Sequence, residues 1–206
     1  MRHRSNIPAV LAIVVALALA VGAAGTTQAE TRLSLDRSFA LVDANGKAVT
    51  GADFPGRWLL IYFGYTHCAD QCPTALSTMV EALDQIGPAA AHIQPLFVTV
   101  DPERDHGPML EAFVSSFDKR LIGLTGTSQQ IADTATLFGF EYTKILAGSD
   151  DYVIDHSTKL SLVAPDRRDA LSFAFTEPYL VAAKLIDELS RAGITLDRVN
   201  NLRAYR

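Results

Sequence analysis

Apolar and polar residues alternate along this chain in blocks that predict discrete elements. Trp58-Leu-Leu-Ile-Tyr-Phe63 is apolar without a break and short, the pattern of a central strand buried on both faces. Phe39-Ala-Leu-Val, Asp43-Ala-Asn45-Gly46 and Lys47-Ala-Val-Thr predict a β-hairpin, because Asn-Gly readily supplies the positive φ angles of a tight turn. Leu76, Met79, Val80, Leu83 and Ile86 recur at helical spacing until Gly87-Pro88 stops them. Pro95 to Val100 is the next strand, and Leu110, Phe113, Val114 and Phe117 line one face of a helix beginning near Pro108. Leu121 to Leu124 is a short strand, and residues 128 to 138 form a helix that Gly139 ends. Tyr152-Val-Ile, Lys159 to Val163 and Leu171 to Phe175 are strands, with a polar turn at Pro165-Asp-Arg-Arg before the last. A closing helix runs from about Glu177, with Pro178 in its first turn, to Gly193.

Strands separated by helices of this length pair in parallel through right-handed crossovers. A late hairpin is expected to add antiparallel strands to the same sheet. The fold class is therefore α/β: a thioredoxin-like domain with an added N-terminal β-hairpin. Such domains place a reactive pair where the first central strand meets the next helix, and Cys68 follows Phe63 by five residues.

The first residues stand apart. Arg2, His3 and Arg4 precede the uncharged stretch 7–25, and Thr27-Gln28-Ala29 ends in a small residue suited to cleavage. Residues 1–29 read as an export signal or as a membrane anchor, since about 20 apolar residues span a bilayer. Residues 30–206 form one outward-facing domain. The short, early apolar run fits bacterial export to the periplasm, with residues 7–25 as an inner-membrane tether unless cleavage occurs near Ala29. Across 206 residues, 49% are hydrophobic and 20% charged, enough for a full core without a disulfide. A net charge of −5 with no basic cluster argues against a nucleic-acid surface.

Both cysteines lie in Gly64-Tyr-Thr-His-Cys68-Ala-Asp-Gln-Cys72-Pro73. Unpaired N–H groups and the dipole at a helix start favour thiolates, and Pro73 suits a first turn, so Cys72 is expected at or just before the helix and Cys68 in the loop above it. Three readings compete. A structural disulfide would close too short a loop to stabilise much. A redox dithiol usually has Cys-x-x-Cys spacing, but one extra residue does not forbid the bond. Metal binding is the third: soft thiolates select Cu(I), an added imidazole also suits Cu(II), and two cysteines fall short of a structural zinc site. A third ligand would decide. His3 belongs to the signal, His92 and His106 read as surface or loop residues, and His67 as a tuning residue or bystander. His156, before the strand at Lys159, sits in the loop that packs over the reactive pair in thioredoxin-like folds; between ligand and ordinary hydrogen-bonded residue it stays open.

Tyr62-Phe-Gly-Tyr-Thr-His-Cys68-Ala-Asp-Gln-Cys72-Pro73, Val98-Thr-Val-Asp101-Pro-Glu-Arg-Asp105 and Asp155-His156-Ser157 together resemble the SCO/SenC copper chaperones of cytochrome c oxidase assembly, over roughly residues 35 to 190. The resemblance implies a membrane-tethered thioredoxin-like domain that binds one copper ion, Cu(I) or Cu(II), through residues matching Cys68, Cys72 and His156. It also implies delivery to the dinuclear copper site of oxidase subunit two, a copper-donor chaperone upstream, and disulfide reduction or redox sensing in some members. On that footing the chain is a metallochaperone and not strictly an enzyme, with a metal-free thiol–disulfide oxidoreductase or redox sensor as the alternative. A peroxidase fits less well, because Thr66 precedes Cys68 by two positions, not three. The family commonly has proline after the first cysteine; Ala69 stands here and leaves the loop less rigid, and Gln71 replaces a small apolar residue. Asp70 and Asp155 are candidates to orient ligands or to cap, with capping favoured for Asp70. Asp101, Glu103, Arg104 and Asp105 are expected to form an ion pair or turn at the rim of the site.

Overall fold

The computed structural model describes residues 31–34, 39–147, 151–175 and 177–195. The signal or anchor read at residues 1–29 lies outside them. The strands are β1 (Thr31–Ser34), β2 (Ala40–Asp43), β3 (Ala48–Thr50), β4 (Trp58–Gly64), β5 (Ile93–Thr99), β6 (Ile122–Thr125), β7 (Tyr142–Leu146), β8 (Tyr152–His156), β9 (Lys159–Val163) and β10 (Asp169–Ala174). The helices are α1 (Gln71–Gln85), α2 (Gly107–Ser115), α3 (Ser128–Leu137) and α4 (Pro178–Arg191).

Eight strands form one mixed sheet in the order β1-β10-β9-β4-β5-β6-β2-β3. β4 lies in its middle, parallel to β5 and antiparallel to β9, and all seven of its residues are buried, as its continuous apolar run requires. β5 continues in parallel to β6, and β2 pairs antiparallel with both β6 and β3. The turn between β2 and β3 puts Gly46 at φ 78°, and Asp43 Oδ1 accepts the N–H groups of Asn45 and Lys47 at 2.8 and 2.9 Å. Helix α1 packs on α4, α2 lies against β6 and α3 against β2.

The late hairpin β9–β10 joins the main sheet antiparallel, as expected, whereas Tyr152–His156 lies outside it and pairs with β7 in a separate two-stranded sheet. β7 was not expected at all. Only Tyr142 of its residues is even half-buried and the other four are exposed, so no alternation marked it as a strand. The consequence is local: the residue pair Asp155-His156 rides on a hairpin hydrogen-bonded chiefly to itself, beside the C-terminal ends of β4 and β5.

Candidate metal centre

The cysteine loop leaves β4 at Gly64, a position that admits no side chain. A Cβ there would lie 2.8 Å from Cys72 Sγ and 3.1 Å from the rings of Phe97 and Tyr62. Glycine thus lets the buried sulfur settle against the end of the strand. Gly64→Ala is expected to lower stability by about 1–3 kcal/mol through overpacking. A chemical-denaturation midpoint equal to that of the parent would contradict this.

Cys72 is the second residue of α1, inside its first turn and not before it, and it is fully buried. Burial pushes its thiol up to about 12, and the adjacent Cys68 sulfur acts in the same direction, against the lowering effect of a backbone hydrogen bond at Tyr65. In the metal-free chain burial therefore outweighs the helix start for this sulfur, contrary to the expectation of two favoured thiolates. A bound cation reverses the balance, because a coordinating thiol is deprotonated outright. Cys68 is partly exposed, and its sulfur accepts the Cys72 N–H, one of the unpaired amides at the start of α1, at 3.3 Å. Neither cysteine is in a disulfide. Their unequal exposure predicts that iodoacetamide modifies Cys68 well before Cys72 in the reduced, metal-free chain. Peptide mass mapping over a time course checks this, and equal labelling would refute it.

Asp70 occupies the cap position of α1, but its side chain makes no capping bond. Its ψ of −62° is far from the extended backbone that aims a cap side chain at the first amides. The capping role expected for it is therefore absent.

His156 ends β8. Its Nδ1 lies 2.9 Å from the carbonyl oxygen of Ser157, which can only accept, so Nδ1 carries the proton and Nε2 keeps its lone pair. Nε2 faces Cys72 Sγ at 3.6 Å. The rings of Tyr62, Tyr65 and Phe140 surround the imidazole, with centroids 6.4, 6.0 and 5.7 Å away. Tyr62 also directs its buried hydroxyl at Cys72 Sγ from 3.9 Å, and burial drives that phenol's pKa up. Ser157 is tied to Glu141 by its own N–H at 3.0 Å and through its hydroxyl. Asp155, next to His156 in the strand, points to the opposite face and is exposed. A backbone carbonyl thus orients the imidazole, a role left open for Asp155 from the sequence.

One ligand-capable atom from each of Cys68, Cys72 and His156 lies within 4.8 Å of the other two. Among the described residues the other histidines stay outside this group. His67 is exposed, 3.8 Å from Asp105 Oδ1, and His92 and His106 are exposed at the end of a 3-10 turn and at the cap of α2.

The charged stretch Asp101 to Asp105 is more deeply built in than its composition implies. Asp101 and Asp105 are completely buried. Asp105 accepts the Thr66 N–H at 2.7 Å, the Thr66 hydroxyl at 2.5 Å and the Thr99 hydroxyl at 2.7 Å, which fastens the cysteine loop to the end of β5. Asp101 accepts from Arg104 Nε and from the Tyr152 hydroxyl. The expected ion pair and turn are both present, Arg104 with Asp101 and the Arg104 and Asp105 N–H groups on the Asp101 carbonyl, and the segment anchors the site from beneath.

Residues 27–191 match the family model for SCO1/SenC. The chain belongs to the SCO1/SenC family. It is similar to the mitochondrial SCO2 homologue of Bos taurus, 42% identical over 131 residues, which are 62% of this chain and 49% of that protein. It is similar to the mitochondrial SCO1 homologue of Homo sapiens at 37% over 131 residues, 62% of this chain and 44% of that one. The chain spans about half the length of the curated relatives it matches. Among solved structures, copper-bound ScoI of Bradyrhizobium japonicum is 37% identical with a TM-score of 0.67, covering 75% of this chain and 98% of that one. The mixed α/β fold thus matches the Sco structures.

Proposed function

We propose that this SCO1/SenC protein is a copper chaperone that holds one copper ion per chain between Cys68, Cys72 and His156. The observation that carries this reading is the approach of two thiols and one imidazole, from a loop, a helix and a strand, to within 4.8 Å of one another. The donor chemistry fits the metal. Two thiolates suit Cu(I), the neutral imidazole extends the set to Cu(II), and the family's copper-bound structures support the same assignment. Within the chain, Gly64 makes room for Cys72, the α1 amide supports Cys68, and the Ser157 carbonyl fixes the imidazole tautomer.

The cargo's destination in this reading is the dinuclear copper site of cytochrome c oxidase subunit two, with a separate copper-donor protein upstream. Residues 1–29 act as an export signal or tether at a bacterial inner membrane, and residues 30–206 as the working domain. Among the described residues no helix is long and apolar enough to cross a membrane.

Titrating the reduced protein with Cu(I) in competition with a chromogenic chelator tests the assignment. One tightly held ion per chain is expected, with binding lost in Cys68→Ser and Cys72→Ser. Retention of that ion by both variants would sink it.

The free, closely placed cysteines favour a second reading, thiol–disulfide exchange with a partner disulfide. In that step the two thiols give up two electrons and two protons, the Cys68–Cys72 bond forms, and the partner disulfide becomes two thiols. A disulfide offers no thiolate pair, so oxidation is expected to expel copper. Equal copper content before and after stoichiometric oxidation would rule out this coupling.

A further inference from the structure

The hairpin that carries His156 is fastened to the rest of the domain at both ends, and the far fastening centres on Tyr152. Tyr152, Ile154 and His156 share one face of β8. Ile154 is buried in the core, and His156 faces Cys72. Tyr152 donates its hydroxyl to the fully buried Asp101 at 2.6 Å. Two cations lie over its ring, the Arg104 guanidinium at 3.8 Å and the Lys144 ammonium at 4.6 Å from the centroid. Arg104 returns to the same strand by donating to the Tyr152 carbonyl at 3.3 Å, and Lys144 pairs with Glu103 at 2.9 Å. The turn that receives all of this also holds the cysteine loop through Asp105 and Thr66.

One turn, Asp101 to Asp105, is therefore the common base of both halves of the site. β7 and β8 pair only with each other in the described sheets, so no β-ladder sets the distance between His156 and the cysteines. From this we infer that Tyr152 is a positioning residue for His156: its bond to Asp101 and its ring contacts with Arg104 and Lys144 hold the hairpin closed over the sulfurs. The Asp101 contact is the stronger part, because a hydrogen bond to a buried carboxylate outweighs a contact with an exposed ammonium. This rests on the copper reading for its metal measurements alone.

The experiment compares the full chain with Tyr152→Phe, which keeps the ring and both cation contacts but loses the hydroxyl, and with Lys144→Gln. Amide hydrogen exchange of the metal-free chain and the rate of Cu(I) loss to a chromogenic chelator are measured for each. Tyr152→Phe is expected to speed exchange at residues 153–156 and Cu(I) loss about tenfold each, the scale of one charge-assisted hydrogen bond. Exchange in β4 and β5 should not change, and the Cu(II)–thiolate absorption band should keep its wavelength because the ligands are the same. Lys144→Gln is expected to give a rise of about two- to fivefold. Unchanged exchange at 153–156 would overturn the inference. So would a rise spread equally over β4 and β5, the mark of general loosening. If the parent takes up no copper, the chaperone reading fails and the exchange data alone decide the role of Tyr152. If Tyr152→Phe does not fold, Lys144→Gln decides it by the same measurement.

Discussion

Replacing His156 with alanine is expected to lower Cu(II) affinity at least about a hundredfold, since even the groups that orient a ligand contribute 10–100-fold. The loss of Cu(I) should be smaller, because the two sulfurs remain and thiolates are its preferred donors. The substitution removes the atom 3.6 Å from Cys72 Sγ and opens a space among the rings of Tyr62, Tyr65 and Phe140. It leaves both cysteines and the Asp105 anchor of their loop in place, so a Cys68–Cys72 bond should still form under oxidant. Competition titrations with both copper oxidation states, beside a thiol count after mild oxidation, separate the outcomes. A variant that holds Cu(II) as tightly as the parent but no longer reduces a partner disulfide would reverse the ranking of chaperone over oxidoreductase.

The second large effect is on stability. Asp105→Ala would leave the buried Thr99 hydroxyl and the part-buried Thr66 N–H without their acceptor and take one of two partners from the Thr66 hydroxyl. A loss of about 3 kcal/mol or more is expected, because stranded buried donors keep their full desolvation penalty. For a domain of this size that lowers the melting temperature by about 6–12 °C. The cysteine loop should loosen with it, so that Cys68 is alkylated faster. Asp105→Asn keeps one acceptor oxygen and should fall between the two. Thermal unfolding of the metal-free proteins checks the order, and a shift below about 2 °C for the alanine variant would contradict it.

Much of this design is written locally in the chain. The unbroken run Trp58–Phe63 is short enough for a strand covered on both sides, and Pro73 after Cys72 marks a helix start; the structure has both. What escaped is non-local. Alternation tells which face of a strand is buried but not which strand lies beside it, so the pairing of β8 with β7 outside the main sheet was not legible. Asp101 and Asp105 have the composition of a surface turn; only the folded chain shows them wholly buried and saturated with donors. Tyr152 looked like one more strand residue. The group that orients His156 is a main-chain carbonyl, and a carbonyl leaves no trace in residue identity.

The two sulfurs differ in access, and this gives ligand exchange a polarity. Solvent reaches Cys68, whereas Cys72 is sealed beneath the rings and the strand end. In the proposed copper-chaperone reading, an acceptor protein's donor atom would approach from the open side, displace the outer sulfur first and meet the inner one last. The ion would then pass through a shared intermediate in which the inner sulfur is still bound, and would never cross water unaccompanied.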